Sequence, residues 1–301
     1  MGTPVFAVSI LDSLLQAGCN VVAVVTAPDK PAGRGMQLTE SAVKKYALSK
    51  ELTILQPVKL KDPSFLDSLK NLHADLQVVV AFRMLPEMVW NMPPMGTINL
   101  HASLLPQYRG AAPINWAIIE GEKETGLTTF KLQHEIDTGD IFLQAKISIG
   151  KEETAGELHD RMMVEGGKLV LETLRGYCQG SLKGQPQSAH SANEVLKLAP
   201  KLNSENCKIN WDQSAVRIYN QIRGLSPYPA AYTMWNEKMI KIYKSKFEET
   251  LTGLKPGESQ TDGKTYLRFA AQDGWVEVLD LQMEGKKRMP IDVFLRGYRA
   301  H

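Results

Sequence analysis

The chain of 301 residues carries only three cysteines, Cys19, Cys178 and Cys207, far apart and odd in number. That pattern excludes a disulfide framework and a cysteine-based metal site, and it suits a reducing compartment. No uninterrupted apolar run approaches the ~18 residues that a membrane-spanning helix needs. The N-terminus shows no basic flank, apolar stretch and small-residue cleavage site of the secretory kind, so the expected location is the cytoplasm. Charge of one sign is also scarce: the formal net charge is +2. Residues 205–301 hold 15 Lys and Arg against 12 Asp and Glu, and the first 204 hold 20 against 21. So small an imbalance excludes a surface coated in positive charge, yet it permits a polyanionic partner at the tail.

What is present is a globular composition, 43% hydrophobic and 23% charged, with length enough for two domains. Residues 4–18 space their apolar positions for a buried helix ending at Gly18. Residues 21–25 and 76–82 are continuous apolar runs rich in β-branched residues, as in strands buried on both faces. Their alternation predicts an α/β fold, a doubly wound, mostly parallel, Rossmann-like sheet. Further strands are expected at 126–132 and 141–149. A long helix over 154–177 opens with Thr154 and Glu157 at capping-box spacing. One feature conflicts with this plan. Met1-Gly2-Thr3-Pro4 leads straight into a helix, as though the first, central strand were missing, which would expose two sheet edges.

Ser, Gly, Pro, Gln and Asn thicken over 181–206, which reads as a linker. Beyond it, a helix over 214–223 precedes short strands at 231–235, 239–243, 266–270 and 275–281. Short strands separated by Gly or Asn turns predict a small OB-like β-barrel. The expected division is a domain over 1–180, the linker 181–206, and a second domain over 207–301.

The chemistry concentrates in Asn99-Leu100-His101-Ala102-Ser103-Leu104-Leu105-Pro106. Residues two apart on a strand share a face, so Asn99 and His101 project together. An amide donor beside an imidazole can bind a developing oxyanion and handle a proton. Downstream stands Ile136-Asp137-Thr138-Gly139-Asp140, after the strand candidate 126–132. Each group alone is an ordinary turn residue. Together, each at the carboxyl end of a candidate strand, they are expected to meet at one edge of an open sheet, where ligand crevices form. No Ser or Cys stands out as a covalent nucleophile.

These residues resemble the signature of the formyltransferases that use 10-formyltetrahydrofolate, with Asp137 falling 38 positions after Asn99. The chain looks like the methionyl-tRNA formyltransferases over nearly its whole length. Two further features carry that likeness: the loop Ala27-Pro28-Asp29-Lys30-Pro31-Ala32-Gly33-Arg34-Gly35, and Arg109-Gly110-Ala111-Ala112-Pro113-Ile114 ahead of an OB-like tail. Glycinamide ribonucleotide formyltransferases share the site but are a single shorter domain. Formyltransferases that modify an amino sugar nucleotide share the two-domain plan and are the nearest rival.

The resemblance implies formyl transfer from 10-formyltetrahydrofolate to the amino group of methionyl initiator tRNA, for translation initiation. It implies Asn99, His101 and Asp137 as catalytic residues. Folate would be held by Phe82, Arg83, Met84 and Leu85, by Ser103, Leu104, Leu105 and Pro106, and by Asp140. For tRNA it points to Lys30 and Arg34, while Lys238, Lys241, Lys244 and Lys246 lie across one strand and its extension, the even-numbered ones expected to share a face that meets phosphates. No metal is expected, and nothing demands more than a monomer. The competing readings are transfer to an amino sugar nucleotide and a folate- or RNA-binding relative that no longer catalyses.

Overall fold

The computed structural model describes residues 1–32, 37–190 and 195–297, and of the expected site residues Arg34 lies outside them. Two compact units divide the chain. The first comprises Met1–Arg109, Gly126–Ile147 and His159–Lys197. The second comprises Gly110–Thr125, Ser148–Leu158 and the chain from Leu198 onward.

In the first unit the strand Gln77–Val80 pairs in parallel with Thr97–His101, setting Val79 beside Asn99. Thr97–His101 in turn pairs with Glu124–Lys131, and Ile141–Ser148 completes the order. A second parallel pair joins Val24–Val25 to Ile54–Leu55. The expected strand at 21–25 is therefore only its last two residues. Met1 and Gly2 lie between the two sets of strands. Gly2 bridges Val80 in parallel, its N–H donates to the Val25 carbonyl at 3.0 Å, and the Val80 N–H donates to the Met1 carbonyl at 2.9 Å. These two residues thus join the two sets of strands. Beside them, Met1, Ile10, Leu14, Val24, Val78 and Val80 line a small apolar cleft open to solvent. Only glycine fits at position 2, since a Cβ there would stand 2.4 Å from the Ala7 Cβ.

The helix Val5–Gln16 turns Phe6, Ile10 and Leu14 inward, one residue per turn. On the other side of the strands, Val25, Phe65, Val79, Leu85 and Val89 form a second cluster. The long helix Ala155–Cys178 begins as its capping box predicts. The Thr154 N–H donates to Glu157 Oε2 at 2.8 Å, and the Glu157 N–H donates to Thr154 Oγ1 at 3.3 Å.

The sheet departs from the expected parallel plan at one place that matters for the site. Glu124–Lys131 runs antiparallel to Thr97–His101, pairing Lys131 with Ile98 and Thr128 with His101. Its carboxyl end therefore lies at the opposite end of the neighbouring strand from His101. The expectation that Asn99, His101 and Asp137 all stand at carboxyl ends of strands along one edge does not hold.

The second unit is a curled antiparallel sheet, a half-barrel. Its order is Ala231–Trp235, Lys238–Glu248, Trp275–Met283, Leu267–Ala270, Ser259–Thr261. Asn236 and Glu237, both at positive φ, make the two-residue hairpin between the first two strands. The helix Ala215–Leu225, capped by the Ser214 hydroxyl, buries Ile218, Ile222 and Leu225 against Ile240, Ile242, Phe269 and Val278. Trp211 stacks on Phe269 with ring centroids 4.6 Å apart.

Candidate active site

Asn99 and His101 occupy the third and fifth positions of the five-residue strand Thr97–His101, so both side chains leave the same face. His101 is buried, and each of its ring nitrogens faces an acceptor. Nε2 lies 2.9 Å from the Tyr108 carbonyl oxygen, which can only accept, so Nε2 carries the hydrogen of that bond. Nδ1 faces Asp137 Oδ2 at 3.7 Å, a charge contact longer than a hydrogen bond. Asn99 is half-buried, and its carboxamide has no hydrogen-bond partner among the described residues.

Asp137 reaches this position because residues 132–140 fold back after the strand Glu124–Lys131. The Leu132 N–H donates to the Thr97 carbonyl at 2.8 Å, and the Lys131 N–H to the Asp140 carbonyl at 2.9 Å, which closes the loop at its base. Asp137 itself sits at φ 54°, a left-handed backbone that Asp tolerates better than most side chains. Gly139 packs against Lys131 so closely that a Cβ would stand 1.7 Å from the Lys131 carbonyl oxygen.

A buried polar knot holds the turn that follows His101. Thr128 Oγ1 donates to the Ser103 carbonyl at 2.7 Å and accepts from the Leu105 N–H at 3.1 Å and Gln144 Nε2 at 3.0 Å. Ser103 Oγ donates to the Gln107 carbonyl at 2.6 Å. Leu105 is buried with Phe130 and Ile141, Pro106 is buried, and Leu104 is half-buried. The side chains of residues 103, 105 and 106 are thus turned into the protein. They set the backbone beneath the site.

The segment after Gln77–Val80 is different in kind. Among the described residues, no backbone N–H or C=O of residues 82–85 has a hydrogen-bond partner within the protein. Met84 is 72% exposed, and Ile136, next to Asp137, is 58% exposed. Leu85 and Phe82 anchor the segment in the core, and Arg83 Nη1 donates to the Val58 carbonyl at 2.9 Å, so its charge is turned toward the chain. Open backbone donors and acceptors beside exposed apolar side chains suit a flat heteroaromatic ring with polar edges.

Residues 1–174 match the family described as formyl transferase, and residues 201–299 match the formyl transferase C-terminal domain. The methionyl-tRNA formyltransferase of Bacteroides fragilis is 52% identical over 306 residues, which covers 99% of this chain and 94% of that one. That of Flavobacterium johnsoniae is 52% identical over 301 residues, with the same coverage. The chain belongs to the formyltransferase family. Solved formyltransferases share its fold at lower identity. WlaRD, a sugar 3N-formyl transferase crystallised with dTDP and 5-N-formyl-THF, superposes with a TM-score of 0.68 at 21% identity, covering 95% of this chain and 97% of its own. HypX of Aquifex aeolicus in complex with tetrahydrofolic acid gives 0.59 at 22% identity, covering 83% of this chain and 43% of its own.

For this formyltransferase the expected basic residues are arranged as follows. The strand Lys238–Glu248 has irregular register at Ile242, Lys244 and Ser245. Strict alternation would turn Lys244 inward with Ile240 and Ile242. The bulge instead buries Ser245 and exposes Lys244. Lys241 is half-buried and donates to the Pro229 carbonyl at 3.3 Å, while Lys238 is exposed at the hairpin end. Lys246 pairs with Glu277 at 3.1 Å. Lys30 is exposed on the short hairpin of Lys30–Ala32 with Gln37–Thr39, next to Asp29, which Lys44 and Gln56 hold in place. Among the described residues, no group of three or more His, Cys, Asp or Glu is placed to hold a metal, and no helix is long and apolar enough to cross a membrane.

Proposed function

We propose that this formyltransferase moves the formyl group of 10-formyltetrahydrofolate to the amino group of methionyl initiator tRNA. The observation that carries the reading is the pairing of His101 with Asp137 beside Asn99, in a chain half identical along its length to methionyl-tRNA formyltransferases. The open backbone of residues 82–85 supports a folate site, with the pterin edge bonded by main-chain groups and Met84 and Ile136 flanking it. The folate supplies the formyl group, and everything else is done by side chains held in place.

As the amine adds to the formyl carbon, negative charge collects on the formyl oxygen; when that oxygen re-forms its double bond, the bond from the formyl carbon to the folate nitrogen breaks, and the proton shed by the amine ends on that nitrogen, which leaves as tetrahydrofolate. The Asn99 carboxamide donates to that oxygen, and a hydrogen on His101 Nδ1 lies within reach of it, since the Asp137 contact is longer than a hydrogen bond. Each such donor is worth roughly 10²–10³ in rate. The Asp137 carboxylate faces the ring at 3.7 Å and assists removal of the proton that the amine sheds. The Tyr108 carbonyl fixes Nε2 as the bonded nitrogen and so keeps Nδ1 toward the reaction. The domain over 1–180 carries this chemistry. The tail over 207–301, with Lys238, Lys241 and Lys244, and the loop carrying Lys30 and Arg34 bind the tRNA. The enzyme works as a monomer in the cytoplasm, where charged tRNA is found.

The rival acceptor is an amino sugar nucleotide, since solved neighbours of the same fold act on sugars. Their identity of about a fifth, against half for the tRNA enzymes, favours tRNA. The test offers both acceptors with 10-formyltetrahydrofolate. Transfer to methionyl initiator tRNA establishes the reading; transfer to the sugar nucleotide alone overturns it.

A further inference from the structure

Gln187 belongs to the polar segment that composition reads as a linker, yet it is buried, and all four hydrogen-bonding positions of its carboxamide are used. Nε2 donates to the Asp137 carbonyl at 2.8 Å and to the Gly139 carbonyl at 2.9 Å. Oε1 accepts from Arg109 Nε at 3.1 Å and Arg109 Nη2 at 2.6 Å. Two carbonyls on one side and two guanidinium hydrogens on the other fix which way the amide points. Arg109 follows Tyr108, whose carbonyl accepts from His101 Nε2.

The interactions close a ring. From Asp137 the path runs through its own carbonyl to Gln187, through Arg109 to the Tyr108 backbone, and through His101 back to the Asp137 carboxylate. The two groups that bracket the His101 imidazole are therefore fastened to each other by two side chains, Gln187 and Arg109.

We infer that Gln187 is a positioning residue for formyl transfer: it holds the Asp137 loop against the Tyr108–Arg109 segment and so sets the His101–Asp137 separation. This rests on the formyl-transfer reading above. Displacing a catalytic group by about 1 Å can cost ~10² in rate, and that loss falls on kcat, because Gln187 touches no bound molecule in this scheme. Gln187→Glu is nearly the same size and keeps an acceptor toward Arg109, but it sets an oxygen against two carbonyls. Gln187→Ala removes the fork without adding repulsion.

The experiment measures kcat and both KM values for Gln187→Glu and Gln187→Ala, each alone and combined with Asp137→Asn, with thermal melts alongside. The expected result is a 10- to 100-fold loss of kcat in each single variant, KM values within about twofold, and no further loss in the Asp137→Asn background. Folded variants that keep the parent's kcat overturn the inference. So does a loss that multiplies with that of Asp137→Asn, or one carried by KM. Unfolding of both variants also overturns it, because Gln187 would then serve the fold alone. A folded parent that transfers no formyl group to methionyl-tRNA overturns the formyl-transfer reading itself, and this role with it.

Discussion

His101 and Asp137 face each other across 3.7 Å with both side chains largely shielded from water, 7% and 13% exposed. In such a site a carboxylate acts on the ring with less screening than at the surface. Removing its charge while keeping its shape therefore isolates the electrostatic contribution. Asp137→Asn is expected to lower kcat by ~10²–10³ with the fold intact. His101→Gln is expected to do the same, and the double variant to lose little more than either single one. Steady-state formyl transfer checks all three. Additive losses would show that the two groups act separately.

Thr128 offers a prediction about stability. Its hydroxyl joins the Ser103 carbonyl, the Leu105 N–H and Gln144 in a fully buried position. Thr128→Val keeps the volume but strands those partners, so a loss of about 1–3 kcal/mol is expected. The turn over 103–106 also loosens beneath the site. Urea unfolding measures the first effect, and a fall in kcat under folding conditions reports the second.

Tyr46 carries the pH prediction. Burial, the hydrogen bond to Asp12 and the charge of that carboxylate together push its phenol from 10 up to about 12. The folded state therefore holds the proton more tightly than the unfolded state. The stability this contributes is present in full below pH 10 and is lost as pH rises through 12. Tyr219 and Tyr243 are raised too, mainly by burial. Ultraviolet titration of tyrosinate should show a late-ionising group that Asp12→Asn moves to lower pH. An unmoved titration would overturn the assignment.

How much of this was legible in the sequence depends on the range of the interaction. Asn99 and His101 share a strand face by local periodicity, and Thr154 with Glu157 cap a helix within one turn, so both could be read directly. Asp137 could be placed after a strand, but not the route by which it arrives. Nothing local to residues 126–132 tells whether the strand runs parallel or antiparallel, since its buried residues look the same either way. The bulge that turns Lys244 outward is set by pairing with Leu281, Asp280 and Val278, which parity along one strand does not contain. Gln187 left no local signal at all. It sits 78 positions from Arg109 and 50 from Asp137, among residues whose composition suggests a connector.

The lysines of the tail lead to the last prediction. Lys244 is exposed by the bulge, and near it Glu157 is bonded to Thr154, which, with the positive charge of Lys244 adding a smaller part, holds its carboxyl below the usual range. Lys241 lies on the outer side of the same strand, its ammonium at the Pro229 carbonyl. If these two ammonium groups meet tRNA phosphates, Lys241→Gln and Lys244→Gln should each raise the KM for tRNA severalfold and leave kcat almost unchanged. Each should also reduce the salt dependence of tRNA binding by about one in the slope of log K against log salt. A carbonyl-bonded lysine must first give up that bond, so Lys241→Gln is expected to show the smaller effect. Binding curves at several salt concentrations decide it: a weaker complex with an unchanged slope would mean that these side chains shape the strand and do not touch phosphate.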